Sequence, residues 1–599
     1  MISKWREWII LIGLVSIALL MRIYWLEQTN YTAEDAFITF RYAHNLADGA
    51  GFVFNPGERV LGTTTPFLAL ILSGWMRAVN HDIVFAARLI SLAAVAGTLI
   101  FIWFILFDSG IGLSRQIWVL GLLAVSSLLW EFDTSGMETP LAIFLISASW
   151  YFLVRQKSGI AGILFGCLLL TRIDLFLWGI CLLVGLVTLK EKVIANSLAL
   201  AGGCLVVFLP WAVFAQFYFG SIIPFSVMAK YTAYVQFNPS AYTNHFLIVW
   251  NSLIPFLGAS ASKAFNGYLV LLTVALWSTG TYTIRRNKSL MILPLFSILQ
   301  GALIILTRAT YFSWYMIPVT WSVLLIAGIG IGEIWESLKI SPKEQQIQRK
   351  ISSLKDQKHH LTRLVWITLG TGAWSVLLDV LAPGSKYTSV LVPLALGLAA
   401  VIIYWLVPVN KRIPDRGFSS TGITIHLPGI GFGILLAGTL FVGWYFGRVP
   451  LKQAEMLQQI RYESALMKAG LWLRDNTPRE SVVLLEPLGY AGFYSERRMI
   501  DEVGLITPAI VEMKKHHILD TYQYMSAFLP DYWFLHCDDA ERNLSKKEDP
   551  PVVLMEQYRL VAKFDPEIAW NGVNPGADFL KVLKRNSCYV IYEKIRDQD

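Results

Sequence analysis

The chain has 599 residues, of which 55% are hydrophobic and only 15% are charged, and its mean hydropathy is +0.52. A soluble domain usually carries about 25% charged residues, so the composition excludes an ordinary soluble protein and indicates a membrane body. The formal net charge of +8 fits basic cytoplasmic loops better than a nucleic-acid-binding surface. The most basic stretch, 339–363, has no interleaved aromatic residues on which bases would stack.

The first apolar segment, residues 8–25, is long enough to cross a bilayer, and no small-residue cleavage site follows it. We therefore predict a retained membrane anchor with a cytoplasmic N-terminus. Residues 34–47 are predicted to form an amphipathic helix on the outer membrane surface, with Phe37, Phe40 and Leu46 turned toward lipid.

The segment 66–79 is apolar but short for a span, and we interpret it as a second interfacial helix. This choice places the short basic loops in the cytoplasm. It gives about thirteen spans, counting the first apolar segment at 8–25. The other twelve are predicted near 82–107, 116–131, 139–154, 160–171, 173–189, 195–217, 266–284, 289–307, 313–336, 364–382, 388–408 and 427–447. The span at 160–171 is too short for a full crossing, which predicts a broken or sunken helix shielded by protein.

The character of the chain changes after residue 447, where the charge density becomes ordinary and no further span is predicted. We predict a transmembrane domain at 1–447, with an outer loop at 27–81 and a basic cytoplasmic linker at 339–363. An extracytoplasmic α/β domain is predicted at 448–599. The fold class is thus an α-helical polytopic membrane protein with a C-terminal soluble domain.

Five cysteines are too few for a disulfide framework. Cys537 and Cys588 fall in the predicted outer domain, where the sequence leaves a single disulfide open. Cys167, Cys181 and Cys204 lie in apolar segments and are expected to be small buried hydrophobes. No set of cysteines and histidines has metal-ligand spacing, so no dedicated metal site is predicted.

Two adjacent carboxylates, Glu34 and Asp35, follow the first predicted span directly. Acidic groups this close to hydrocarbon are costly and by default indicate a functional site. The alternative is a solvated pair that caps a helix and interacts favourably with its dipole. The following stretch, 51–66, is rich in Gly, Pro and Thr and is typical of a structured loop.

Five blocks of sequence, in order, resemble polytopic glycosyltransferases of the GT-C superfamily, which use polyprenyl-phosphate sugars. The blocks are EDAFITFRYAHNLADGAGFVFNPGERVLGTT at 34–64, TSGMETPL at 134–141, TRID at 171–174, FGSIIPFSVMAK at 219–230 and GFYSERRMIDEVGLITP at 492–508. Within the superfamily the chain looks most like the terminal arabinofuranosyltransferases of actinobacterial cell walls. It departs from that family in having Glu34 where an aspartate is common and Ile173 where relatives tend to have proline.

The resemblance implies a membrane enzyme that transfers a sugar, arabinofuranose among the options, from a polyprenyl phosphate to an extracytoplasmic acceptor by an inverting displacement. It implies that Asp35 is the general base and that Glu34 assists or orients it. Such a reaction needs a carboxylate for the acceptor proton and cations for the departing phosphate. The candidate phosphate-binding residues on the predicted outer face are Lys230, Arg172, Arg59, Arg41 and Arg308, with the first two preferred.

Other residues of the resembling blocks and nearby loops are candidates for contacting the sugars. Glu138 and Asp174 are candidates to pair with the cations or to bind sugar hydroxyls, although Glu138 equally suits a helix cap. Tyr231 and Trp314 are candidates to stack on a sugar ring, although aromatic residues also form interfacial belts. Three residues of the predicted outer domain are candidates to position an acceptor glycan, with surface salt bridges as the alternative, namely Arg497, Arg498 and Asp501.

The expected partners are a polyprenyl-phosphate sugar, a glycan, lipid or protein acceptor and membrane lipids, with no nucleic acid. No cofactor is required by the sequence, and a divalent cation at Glu34 and Asp35 is left open. One alternative function is a transporter or flippase of a lipid-linked sugar. Transporters often show internal repeats and charges at mid-membrane, and neither is evident in the sequence. A structural scaffold would leave the acid pair unexplained.

Overall fold

The structure is a computed structural model. It describes residues 2–189, 192–234, 263–307, 312–339, 450–516, 521–545, 557–568 and 574–595. The spans predicted at 364–382, 388–408 and 427–447, the linker, the domain boundary at 447 and Arg308 lie outside these residues.

The N-terminal part is helical. Its α-helices are α1 (Ile2–Thr29), α2 (Glu34–Ala47), α3 (Pro66–Ala78), α4 (Ile83–Asp108), α5 (Leu113–Val125), α6 (Ser127–Thr134), α7 (Thr139–Val154), α8 (Ser158–Thr171), α9 (Leu177–Leu189), α10 (Val193–Phe219), α11 (Phe225–Tyr234), α12 (Lys263–Ile284), α13 (Ile292–Thr307) and α14 (Ile317–Lys339). Short 3-10 turns, Ile173–Leu175 and Ser313–Met316, precede α9 and α14.

Four helices in the described residues are long and apolar enough to cross a membrane: Glu7–Thr29, Ile83–Asp108, Val193–Phe219 and Ser313–Ser337. The span predicted at 116–131 is instead a bent pair, because α5 and α6 meet at an angle of 60°. Several predicted spans are shorter apolar helices, and α8 has the short length expected of it, at 14 residues. The total of about thirteen spans stays a prediction.

Small residues let α8 and α10 pack closely. A Cβ at Gly162 would lie 2.0 Å from the carbonyl oxygen of Leu200, and one at Gly203 would lie 2.1 Å from that of Gly159. Larger side chains would force the helices apart, as is general for helix pairs packed through small residues in membranes. α8 also packs against α7.

A buried ion pair joins α1 to α6. Arg22 donates from Nε to Asp133 Oδ2 at 2.9 Å, and its other nitrogens donate to the carbonyl oxygens of Ala18, Leu123 and Ala124. Because every guanidinium nitrogen of Arg22 has a partner, the pair is tolerated inside the helical body. It fixes the turn that leads from α6 to α7.

The C-terminal domain begins with a helix that has π-helical hydrogen bonding over Leu457–Met467 and continues as α15 (Lys468–Asn476). Its remaining elements are β1 (Val482–Leu485), α16 (Leu488–Ser495), β2 (Arg498–Asp501), α17 (Pro508–Lys515), α18 (Thr521–Phe528), β3 (Tyr532–His536), α19 (Cys537–Ser545), β4 (Tyr558–Phe564), α20 (Ala577–Arg585) and β5 (Tyr589–Lys594).

These strands form one sheet in the order β2-β1-β3-β5-β4. β1 pairs in parallel with β2 and β3, whereas β5 pairs antiparallel with β3 and β4. The prediction of a C-terminal α/β domain is confirmed. Cys537 and Cys588 form a disulfide that ties the end of β3 to the start of β5, which resolves the pairing that the sequence left open.

Helix α2 has the predicted bounds but a different environment. Phe37 and Phe40 are 1% and 0% exposed, so the prediction that they face lipid was wrong. The Phe37 ring packs on Tyr490 of α16 with ring centroids 4.0 Å apart, and it also contacts Phe493 and Tyr494. The apolar face of α2 is therefore covered by the C-terminal domain.

Candidate active site

Asp35 lies in the first turn of α2, at the junction of the helical body and the C-terminal domain. The backbone N–H of Ala33 donates to the carbonyl of Ser135 at 2.9 Å, which fixes the chain just before the helix. Asp35 Oδ2 is 3.8 Å from Lys230 Nζ, and the two side chains are 30% and 23% exposed. The first-choice base and one first-choice cation thus meet, although 195 residues separate them along the chain.

Lys230 is carried by α11, which follows a tightly held loop. The N–H of Phe225 donates to the Leu61 carbonyl at 2.7 Å, so the loop after α2 fixes the start of α11. α11 also packs against α17 of the C-terminal domain. Lys230 is therefore positioned by both parts of the molecule.

Arg172 lies where α8 ends, and it forms a second cationic centre near Lys230. Its guanidinium binds Asp174 through two hydrogen bonds, of 3.1 and 2.7 Å, and donates to the Trp314 carbonyl at 3.0 Å. Glu138 Oε1 is 3.9 Å from Arg172 Nε. Three of the predicted sugar-contacting residues therefore surround Arg172. Glu138 and Asp174 pair with it, which was one of the options given for each of them.

Tyr315 joins the two cations and was missed by the sequence analysis. Its hydroxyl interacts with Lys230, and the Arg172 guanidinium lies 5.4 Å from its ring centroid. The Phe312 ring also contacts this site, with its centroid 5.4 Å from Lys230 Nζ. The signal in the sequence was the aromatic run that contains Trp314, whose ring stacks on Phe312.

Both cations keep their protons at neutral pH. Burial acts to lower the pKa of Lys230, but Tyr315 and Asp35 outweigh it and raise that pKa. Burial likewise opposes the charge of Arg172, and the Asp174 carboxylate outweighs it and raises the pKa of the guanidinium. Two permanent cations with partly exposed acidic neighbours, Asp35 and Asp174, are suited to receive an anionic group.

Glu34 faces the C-terminal domain. Its Oε1 accepts a hydrogen bond from the Gly489 N–H, in the first turn of α16. Burial and the nearby charge of Asp35 raise the pKa of Glu34, while the Gly489 hydrogen bond opposes this shift. The neighbouring acids therefore differ in role: Glu34 binds the C-terminal domain and Asp35 faces Lys230.

Replacing Gly489 by Ala is expected to separate the two parts of the site. A Cβ there would lie 2.0 Å from the Glu34 carbonyl oxygen and 2.6 Å from its Oε1. Forcing a methyl group into a packed contact typically costs about 1–3 kcal/mol, so the C-terminal domain should unfold at lower temperature and be cleaved faster by protease.

The matched control is Gly74→Ala in α3, where an added Cβ meets nothing within 4 Å. It should leave the thermal midpoint unchanged or raise it slightly, since Ala favours a helix. Equal unfolding temperatures and equal rates of protease cleavage in the two variants would contradict the close contact at Gly489.

Arg41 and Arg59 lie apart from the two cations. Arg41 is 5% exposed, and its guanidinium donates to the carbonyls of Phe54, Gly492 and Arg497. These bonds place it inside the interface between α2 and the C-terminal domain, so it is not available to a phosphate. Arg59 is exposed and stacks on Tyr218 with its Cζ 4.6 Å from the ring centroid.

Of the remaining candidates, Tyr231 lies at the surface, and the other three bind neighbouring groups of the protein. Tyr231 is 59% exposed on α11. Arg497 donates to the carbonyls of Ser495, Arg474 and Thr477, and Asp501 accepts from the N–H groups of Val503 and Leu505. Arg497 and Asp501 thus hold the turns around β2. Their expected role in positioning a glycan was wrong. Arg498 pairs with Glu58 of the loop after α2.

No group of three or more His, Cys, Asp or Glu side chains with the geometry of a metal site occurs in the part of the chain that the structure describes. Among those residues, no third side chain of these types joins Glu34 and Asp35 to complete a site for a divalent cation.

The chain aligns with solved structures over nearly its whole length. The structure of ArnT from Cupriavidus metallidurans bound to undecaprenyl phosphate aligns with a TM-score of 0.54 at 14% identity, covering 98% of each chain. Archaeal oligosaccharyltransferase AglB from Archaeoglobus fulgidus, in complex with an inhibitory peptide and a dolichol-phosphate, aligns at 0.51 and 10% identity, covering 94% of this chain and 74% of that one. The chain has the GT-C fold. At these identities the likeness establishes the fold, in agreement with the resemblance found in the sequence.

Two sequence comparisons add to this. The terminal β-(1→2)-arabinofuranosyltransferase of Mycobacterium tuberculosis is 28% identical over 232 residues, which are 34% of this chain and 35% of that protein. The chain thus spans about a third of the length of this curated relative. A family model described as a domain of unknown function, DUF8728, matches residues 454–592, which are nearly all of the C-terminal domain.

Proposed function

We propose that the protein is an integral membrane glycosyltransferase that moves a sugar from a polyprenyl-phosphate donor to an extracytoplasmic acceptor, with a glycan as the preferred class. The observation that carries this proposal is the meeting of Asp35 with Lys230, at 3.8 Å, within a GT-C fold. A carboxylate and a cation so placed suit the two requirements of the reaction, a base for the acceptor and a counter-charge for the phosphate.

The phosphate is assigned to Lys230, Arg172 and Tyr315. Lys230 supplies a compact charge, and Arg172 supplies a planar guanidinium already held by Asp174 and the Trp314 carbonyl. Because these groups are fixed before the donor arrives, they stabilise the charge that develops on the leaving phosphate without first having to reorganise. Arg59, at the exposed rim, and Arg308, outside the described residues, stay candidates for the lipid phosphate.

Asp35 is assigned as the general base. As the acceptor oxygen forms its bond to the anomeric carbon, its proton passes to the Asp35 carboxylate, and the bond from that carbon to the phosphate oxygen breaks. The products are the new glycoside and a polyprenyl phosphate. A single displacement of this kind inverts the configuration at the anomeric carbon. Glu34 orients Asp35 by holding the first turn of α2 against α16.

The comparisons support this class of donor. The GT-C neighbours were solved with undecaprenyl phosphate and a dolichol-phosphate, and the mycobacterial relative is a β-(1→2)-arabinofuranosyltransferase. Arabinofuranose is therefore the sugar to test first. The proposed topology places the N-terminus in the cytoplasm and the site outside the cell membrane, with 1–447 as the membrane domain and 448–599 as the soluble domain.

Purified protein in proteoliposomes, supplied with a polyprenyl-phosphate arabinofuranose and an oligo-arabinofuranoside, is expected to form a new glycosidic bond. Mass spectrometry of the acceptor and nuclear magnetic resonance of the anomeric centre measure the bond and its configuration. Movement of the lipid donor between leaflets without a new bond, in this assay and with other sugars on the same lipid, would favour the flippase and contradict the proposal.

A further inference from the structure

The parallel strands of the C-terminal domain end beside the acid pair. The chain passes from β1 through α16 to β2 on one side of β1, and then through α17 and α18 to β3 on the other side. Connections leave β1 and β3 in opposite directions, and in open α/β sheets the crevice at the carboxyl ends of two such strands is where ligands bind. Glu486 follows β1, and His536 ends β3.

Four side chains gather at this crevice: Glu486, His536, Arg461 and Tyr589. Glu486 is exposed and interacts electrostatically with Arg461, with Asp539 and with Asp35. Tyr589 lies within electrostatic reach of Arg461, Glu486 and Glu34. The cluster therefore adjoins the proposed catalytic acid, and none of its members takes part in the chemistry assigned above.

Two polar atoms of this cluster, Nδ1 of His536 and Nε of Arg461, have no hydrogen-bond partner among the residues that the structure describes. The Tyr589 hydroxyl is buried and interacts with the Arg461 side chain. A buried polar group left without a partner is costly, about 1–3 kcal/mol. Burial and the charge of Arg461 lower the pKa of His536 to about 4, so the imidazole is neutral and can both donate and accept.

We propose that Glu486, His536, Arg461 and Tyr589 form an acceptor subsite that binds the hydroxyl groups of a carbohydrate and presents one of them to Asp35. This inference rests on the proposed function and assigns a ligand to the C-terminal domain. A neutral polyol fits because the cluster offers a carboxylate acceptor together with imidazole, phenol and guanidinium donors, the groups that bind sugar hydroxyls. The Cys537–Cys588 disulfide lies next to His536 and Tyr589 and holds the two strand ends together.

The test compares Glu486→Gln and Tyr589→Phe with wild type in two measurements on the full-length protein. The first is equilibrium binding of a fluorescent oligo-arabinofuranoside, which needs no turnover, and the second is the KM for that acceptor and for the lipid donor. Losing one hydrogen bond to a charged or buried group should raise the acceptor Kd and KM about 10-fold. Binding of undecaprenyl phosphate and the donor KM should not change.

Matched controls are available in the same domain. Glu512→Gln replaces an exposed glutamate on α17 that pairs with Lys515. Tyr592→Phe replaces a tyrosine on the opposite face of β5, since Tyr589 packs in the core shared with α2 and Tyr592 packs in the core behind the sheet. Both controls should bind the oligosaccharide as wild type does.

Wild-type affinity in both Glu486→Gln and Tyr589→Phe, or no oligosaccharide binding by the wild-type protein, would overturn the subsite. A protein that binds the oligosaccharide but forms no glycosidic bond with any lipid donor would instead overturn the proposed function, so the two failures are distinguishable.

Discussion

Replacing Asp35 by Asn is expected to reduce glycosyl transfer by about 10²–10⁴-fold, the usual contribution of one general base. The amide keeps the size of the side chain but does not take up the acceptor proton. Donor binding should be retained, because Lys230 and Arg172 remain in place. The effect is measured as kcat under saturating donor and acceptor, with thermal unfolding as the check on folding.

Asp48→Asn is the control for this variant. Asp48 follows the same helix at its other end, where it is 48% exposed and pairs with His44 at 3.2 Å. It should leave kcat unchanged. Full activity in Asp35→Asn would remove this residue from the mechanism, whatever the control does.

Replacing Lys230 by Met is expected to weaken binding of undecaprenyl phosphate by about 10- to 100-fold, the value of a hydrogen bond to a charged group. Met has a similar length and no charge, so it preserves packing while removing the cation that lies nearest Asp35. Its contribution is electrostatic, and the difference between the variant and wild type should therefore shrink at high salt. The measurement is a lipid-binding titration at two ionic strengths.

Lys452→Met tests whether this loss is specific. Lys452 has similar exposure, 24%, and pairs with Glu455 in the helix that opens the C-terminal domain. Its substitution should not alter lipid affinity. If Lys230→Met bound undecaprenyl phosphate as tightly as Lys452→Met does, the phosphate would have to lie elsewhere.

Local patterns in the sequence predicted much of the helical body and the position of the acid pair at the start of a helix. The helix at 34–47 has the predicted bounds because an apolar periodicity begins directly after two acids, which favour a helix N-terminus. Arg172 and Lys230 were chosen as candidates because each lies in a short motif where a helix ends or begins near the predicted membrane surface. That these motifs meet at one site was implied by the resemblance to a known fold.

Contacts between distant segments could not be read from the sequence. An apolar face on α2 looks the same whether lipid or another domain covers it, and Phe37 is covered by a helix that begins at Leu488. Arg41 looked like a surface cation, but its partners are carbonyl groups of that distant domain. Tyr315 was missed for the same reason, because its importance depends on where α11 places Lys230.

The assignment of the site is tested most directly by a density map of the protein with bound undecaprenyl phosphate. We expect the phosphate oxygens within about 3 Å of both Lys230 Nζ and the Arg172 guanidinium, and the Asp35 carboxylate facing the space beside the phosphate where a sugar would lie. A lipid phosphate held by other cations, with Asp35 turned away from it, would contradict the account.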